Sequence, residues 1–235
     1  MTTQLKIDFV SDVSCPWCAI GLKSLEQALE RLAADSNSGS DGDGEIRAEL
    51  HFQPFELNPQ MAPEGQDIGE HLAEKYGATP EQTERTREAI RARGEAVGFE
   101  FRMDKRDRIY NTFDAHRLLH WAELEGPAQQ AALKHALFRA YFTDGENPGS
   151  HDVLLRAAGE AGLDTARARE ILSSDEFAED TRRRERFYLD QGIHSVPAVI
   201  INDRYLVQGG QPAEVFEDAL RKVAQASREA RAPQA

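Results

Sequence analysis

The chain's two cysteines, Cys15 and Cys18, stand three positions apart in Ser14-Cys15-Pro16-Trp17-Cys18-Ala19-Ile20-Gly21, and no third thiol exists to pair with either. If the chain between them is helical, one turn brings their Cα atoms to about 5 Å, within the range a disulfide spans. Pro16 marks the first helical position, where its missing N–H costs nothing and its fixed φ suits the turn. Cys15 is then the N-cap. Its sulfur faces unsatisfied backbone N–H groups and the positive end of the helix dipole, both of which favour thiolate over thiol and lower its pKa. Cys18, one turn along and more enclosed, is placed to attack the mixed disulfide that Cys15 forms with a substrate. Two other readings stay open. The pair could be half of a zinc site completed by His116 and His120, which are four apart on one helix face, or the cysteines could be chemically inert.

A dithiol at a helix start needs elements to hold it. Leu5, Ile7 and Phe9 alternate with Lys6 and Asp8, which predicts a strand running into the turn Ser11-Asp12-Val13-Ser14. From Pro16, Ile20, Leu22, Leu25, Leu29 and Leu32 gather on one side of an amphipathic helix. Alternation resumes at Ile46, Ala48, Leu50 and Phe52, a second strand ending near Pro54 and parallel to the first, because a helical crossover joins them. The polar stretch between helix and strand is too poor in apolar residues to pack, so residues 36–44 are expected to be a flexible loop.

From about 66 to 190 the apolar spacing is helical and no further strand of useful length is predicted. Leu133, Leu137, Phe138, Tyr141 and Phe142 read as core, and Arg182-Arg183-Arg184-Glu185-Arg186 as a solvated helix face. Strands return at Ser195–Asn202 and Tyr205–Gln208, joined at Asn202-Asp203-Arg204 as a hairpin. A last helix is predicted from about Pro212 to Ala226, followed by a disordered tail. The pattern is one α/β core interrupted by an all-helical insertion: core at 1–60 and 192–228, insertion at 61–191, tail at 229–235.

Composition bounds the function. Against 28 lysines and arginines stand 41 acidic residues, a net charge of −13 that would repel a phosphate backbone, so nucleic acid is not an expected partner. No run approaches the roughly 20 apolar residues of a membrane span, and the first residues lack the layout of a signal peptide. The expected location is the cytoplasm, where a disulfide is transient and catalytic rather than structural, which favours the redox reading.

The Cys-Pro-Trp-Cys helix start, Val196-Pro197 opening a late strand, and the helical insertion together resemble the DsbA-like thioredoxin-fold oxidoreductases. Asp12 to Gly21, Ala115-His116-Arg117-Leu118-Leu119, Leu137 to Phe142, Val196 to Asn202 and Gly209-Gly210-Gln211-Pro212 are similar to the FrnE branch of that family, over residues 5 to about 226. The resemblance implies an α/β thioredoxin fold, a mixed four-stranded sheet flanked by helices, with Pro197 in the cis form facing the dithiol. A cis bond there would let Val196 present its backbone to an extended substrate beside Cys15; an ordinary trans proline at a strand start is the alternative. Ser195 stands where the family's pattern has glycine, and His194 precedes it, which is expected to alter the loop and the electrostatics around the thiolate.

The remaining site candidates support Cys15 and Cys18. Asp12 either relays a proton to Cys18 or satisfies local backbone N–H groups, the second being the commoner role of such a residue. Trp17 either stacks on a substrate or shields Cys18, and His116 either reaches the site or is a packed, hydrogen-bonded histidine. The expected activity is thiol–disulfide oxidoreductase or isomerase on protein or small-molecule disulfides and thiols, glutathione among them, with no cofactor and no metal. The alternative is a glutathione-dependent isomerase or transferase acting on a small aromatic or polyketide substrate. Kappa-type transferases and 2-hydroxychromene-2-carboxylate isomerases generally carry serine at the position of Cys15, so the intact pair argues for dithiol exchange.

Overall fold

A computed structural model describes residues 2–37 and 45–231 of the chain. Most of the predicted flexible loop, 38–44, and the last four residues of the predicted tail lie outside the described residues.

The first strand, β1 (Thr3–Ser11), buries Leu5, Ile7 and Phe9 completely and leads into α1 (Pro16–Asn37) and then β2 (Ile46–Pro54). β1 and β2 are parallel and in register from Thr3 with Ile46 to Ser11 with Pro54. On its other side β1 pairs antiparallel with β5 (Ala198–Ile201), which forms a hairpin with β6 (Tyr205–Gln208), so the sheet order is β2-β1-β5-β6. Asn202 and Asp203 take positive φ in the hairpin turn, a conformation their short polar side chains tolerate. The final helix, α9 (Ala213–Arg231), packs on α1 against one face of the sheet. It runs five residues beyond Ala226, into the segment expected to be disordered. The extension Ser227-Arg228-Glu229-Ala230-Arg231 has no apolar stripe to signal burial, but it contains good helix formers.

Between β2 and β5 lie two two-residue strands, β3 (Gln66–Asp67) and β4 (Arg108–Ile109), which pair with each other, and the helices α2 (Ile68–Tyr76), α3 (Pro80–Ala96), α4 (Phe113–Glu125), α5 (Pro127–Phe142), α6 (His151–Glu160), α7 (Thr165–Leu172) and α8 (Ala178–Asp190). α2 is held at its start by the Asp67 side chain and at its end by Gly77 in the left-handed region, and α3 starts in a capping box of Thr79 and Gln82. Helices α4 to α7 build a cluster of their own around Leu118, Leu133 and Leu154. Ile90, Phe101, Phe138, Tyr141 and Phe142 instead join the cluster that contains β1, α1, α9 and both cysteines. The insertion and the sheet therefore share one core beside the dithiol.

Two features depart from the local reading of the sequence. The arginine run of α8 is not merely a solvated face: Arg182 pairs with Glu56 and Glu185 and lies 3.7 Å from the ring centre of Phe113, and Arg184 pairs with Glu123. Partners more than 60 positions away are invisible to an i,i+4 argument. The outer margin of β2 is met by a side chain: Gln130 of α5 accepts from the Phe52 N–H and donates to the Phe52 carbonyl, both at 3.0 Å, and donates to the Leu119 carbonyl at 3.2 Å.

Candidate active site

The helix begins where the sequence puts it. α1 starts at Pro16, and the Cys15 carbonyl accepts the N–H groups of Cys18 at 3.0 Å and Ala19 at 3.4 Å, the first bonds of the helical ladder. Cys15 and Cys18 are both free thiols. Cys15 is 4% exposed and Cys18 fully buried. Burial, and then the neighbouring Cys15, push the Cys18 thiol well above its usual range. Cys15 also points its sulfur at the Val196 carbonyl, 3.8 Å away, and the Val196–Pro197 bond is cis. The loop before β5 and the start of α1 are packed closely enough that a Cβ on Gly21 would lie 3.1 Å from Pro197 Cγ, and one on Gly210 would lie 2.8 Å from the Trp17 carbonyl oxygen.

Asp12, at the end of β1, is buried and spans three elements. Its Oδ1 accepts the Ser14 N–H at 3.1 Å and lies 3.6 Å from His116 Nε2 of α4, while Oδ2 accepts the Leu57 N–H at 2.7 Å. Burial alone would raise its carboxyl, but His116 and the two backbone donors outweigh that and hold it below the usual carboxylate range. His116 thus reaches the site through Asp12, whereas His120 packs edge-on against Phe177. Among the described residues no group of three or more His, Cys, Asp or Glu could hold a metal ion, so the four residues of the zinc alternative are not brought together.

Cys15, Trp17, Val196, His194 and Ser195 line one wall of a cavity of about 600 Å³, with α2, α3 and Ile109 on the other. His194 and Ser195 are exposed there, and Trp17 is half-buried. Cys18 does not reach the cavity. The insertion is fastened around it: Arg93 of α3 donates to the Gly210 carbonyl at 3.2 Å, and Lys75 of α2 donates to the Leu57 carbonyl at 2.8 Å.

Two charged residues near the thiols were not singled out in the sequence. Lys134 of α5 is fully buried, with no hydrogen-bond partner for Nζ among the described residues; Nζ lies 4.8 Å from the Phe138 ring centre. Burial lowers it to about 8, against the pull of Cys18, Asp12 and Cys15. A signal was present: Lys134 interrupts the apolar stripe of Leu133, Leu137, Phe138 and Tyr141 at helical spacing. Arg106 also lines the cavity, but it sits in the run Lys105-Arg106-Asp107-Arg108, which gives no hint of burial.

No helix among the described residues is long and apolar enough to cross a membrane. The uncharacterized protein YwbO of Bacillus subtilis (strain 168) is 25% identical over 221 residues, 94% of this chain and 96% of that protein. A probable DsbA oxidoreductase from Streptomyces coelicolor has the same fold at a TM-score of 0.83 and 31% identity, covering 98% of this chain and 93% of that one. The cytosolic disulfide reductase DsbM from Pseudomonas aeruginosa, in a structure with GSH, shares the fold at a TM-score of 0.58 and 18% identity, over 95% and 99% of the two chains. The model of the DSBA-like thioredoxin domain matches residues 6–221. With that match across most of its length, and its paired thiols at the start of α1, the chain belongs to the DSBA-like thioredoxin domain family.

Proposed function

We propose that the protein is a thiol–disulfide oxidoreductase or isomerase in which Cys15 is the nucleophile and Cys18 resolves. The observation that carries this reading is the asymmetry of the pair: Cys15 lines the cavity, while Cys18 is wholly enclosed one turn behind it with its thiol pushed up. In the reducing direction the Cys15 thiolate attacks a substrate disulfide, forming a mixed disulfide and releasing one substrate thiolate. Cys18 then loses its proton and attacks the Cys15 sulfur, which closes the protein disulfide and releases the second thiolate. Two electrons pass from protein to substrate, and oxidation runs the same steps backwards. Lys134 partly offsets the rise of the Cys18 thiol, which eases the second step. Val196, whose carbonyl faces Cys15, is the backbone group placed to receive an extended substrate. Trp17, Pro16 and His194 shape the entrance, Pro197 is buried behind it against Gly21, and Asp12 with His116 fixes the turn beneath it. The substrates are protein or small-molecule disulfides, glutathione mixed disulfides included, in the cytoplasm.

The test is equilibration in glutathione redox buffers, with thiols counted by alkylation and mass. A reversible two-electron transition that needs both cysteines, with a mixed disulfide trapped on Cys15 in Cys18→Ser, is the expected result. No transition, together with turnover of an aromatic substrate that needs glutathione but not Cys18, would move the assignment to an isomerase or transferase.

A further inference from the structure

Arg106 is 9% exposed, and its guanidinium lies 4.9 Å from the ring centre of Tyr141 and 5.2 Å from that of Phe142. Among the described residues its Nε has no hydrogen-bond partner, and no carboxylate forms an ion pair with it. Its polar neighbour is the neutral Tyr141 hydroxyl. A buried cation normally has an anion opposite it, because desolvation is otherwise uncompensated. The protein has 41 acidic residues, yet among the described residues none lines the cavity that Arg106 shares with Cys15. His71 on the same wall is held towards its neutral form by burial and by Lys75. The rest of the wall that α2 and α3 contribute carries no charge, with Ile68, Leu72 and Ile90 beside the polar Gln82, Thr83 and Thr86.

We infer that Arg106 is an anion subsite of the Cys15 cavity, and that the preferred substrate is a small disulfide whose carboxylate pairs with Arg106 while its sulfur meets Cys15. This rests on the reading of Cys15 as nucleophile. A volume of about 600 Å³ suits a drug-sized molecule enclosed on several sides. The guanidinium fork offers a carboxylate two parallel hydrogen bonds, and the Tyr141 and Phe142 rings lie about 5 Å from it. The covalent step is the first exchange already written: the Cys15–sulfur bond forms, the substrate S–S bond breaks, and the departing thiolate carries away the electron pair.

The experiment uses the full chain with Cys18→Ser, so that Cys15 is the sole thiol. Rates of mixed-disulfide formation are read by intact mass with dithiodipropionate, hydroxyethyl disulfide and cystamine, each divided by the rate of free mercaptoethanol with the same reagent. The solution holds about 1 M salt, where a Debye length of about 3 Å screens the net charge of the molecule. The dicarboxylate is expected to react roughly tenfold faster than the neutral disulfide, as befits a charge-assisted bond in a sheltered site. The ratio falls towards one in Arg106→Met and survives in part in Arg106→Lys. Absence of the preference with Arg106 in place overturns the inference, and so does an unchanged ratio in Arg106→Met; if Arg106→Met does not fold, the first measurement decides alone. Thiodipropionate, a thioether that cannot exchange, separates this inference from its parent. If no disulfide labels Cys15 but thiodipropionate protects the Arg106 protein against heat and not the methionine variant, the dithiol reading fails and the anion subsite stands. Failure of both labelling and protection removes both.

Discussion

Asp12 and Lys134 are buried groups of opposite sign beside the same pair of thiols, and their titrations act on stability in separate pH windows. The Asp12 carboxyl is held below its unfolded value, so the stability it contributes is present above about pH 4 and is lost as the pH falls through its folded value. Asp12→Ala also strands the N–H groups of Ser14 and Leu57. We expect a loss of about 2–4 kcal/mol in urea denaturation at pH 7, shrinking in acid as the wild-type carboxyl is protonated. Lys134 shifts stability in the same direction with pH but in an alkaline window, because here it is the charged form that the fold disfavours. Its folded value is about 8 against 10.5 in the unfolded chain, so between those limits the unfolded state holds more protons and stability rises with pH. The difference between wild type and Lys134→Met should follow that rise, by up to about 3 kcal/mol, with the methionine variant the more stable at pH 7. A flat difference across pH 8 to 10 would show that Lys134 is not a lone buried cation.

At the scale of elements, the site is an intersection of α1, the loop before β5 and the Gly209-Gly210 turn after β6. Gly209 takes φ +83, and Gly210 leaves no room for a side chain against the Trp17 carbonyl. Gly210→Ala must push the first turn of α1 outwards, at about 1–3 kcal/mol measured by thermal or urea unfolding. Cys18 should then alkylate faster in the native state; if it stays as slow as in wild type, the turn does not set its enclosure. Much of this framework was legible beforehand. β1, α1, β2, the hairpin and α9 announce themselves because period-two and period-3.6 patterns, Pro16 and the Asn202-Asp203 turn are local signals. The thiol pair was legible for the same reason. The anchoring of α2 and α3 over Cys15 was not, since Arg93 to Gly210 spans 117 positions. Nor was the depth of Arg106, because a charged run looks the same whether it faces water or a cavity. Lys134 was readable only as an exception to the stripe around it.

At the scale of the whole molecule, charge and cavity oppose each other. The net charge of −13 repels anionic reagents at a distance, while Arg106 attracts them once inside. The rate of Cys15 with dithiodipropionate should therefore rise several-fold between about 10 mM and 150 mM salt, as the Debye length shortens from about 30 to 8 Å. The rate with cystamine should fall and that with hydroxyethyl disulfide stay level; parallel salt profiles for all three would show that the overall field does not govern approach. Sheet margins pose a different problem for a molecule with a four-stranded sheet. An open edge strand is a template for another copy of the chain. Here the amide of Gln130 reproduces, at Phe52, the N–H and C=O pattern that a neighbouring backbone would offer. One glutamine takes the place of an incoming strand near the C-terminal end of β2, so that an approaching chain finds that stretch of the edge already paired.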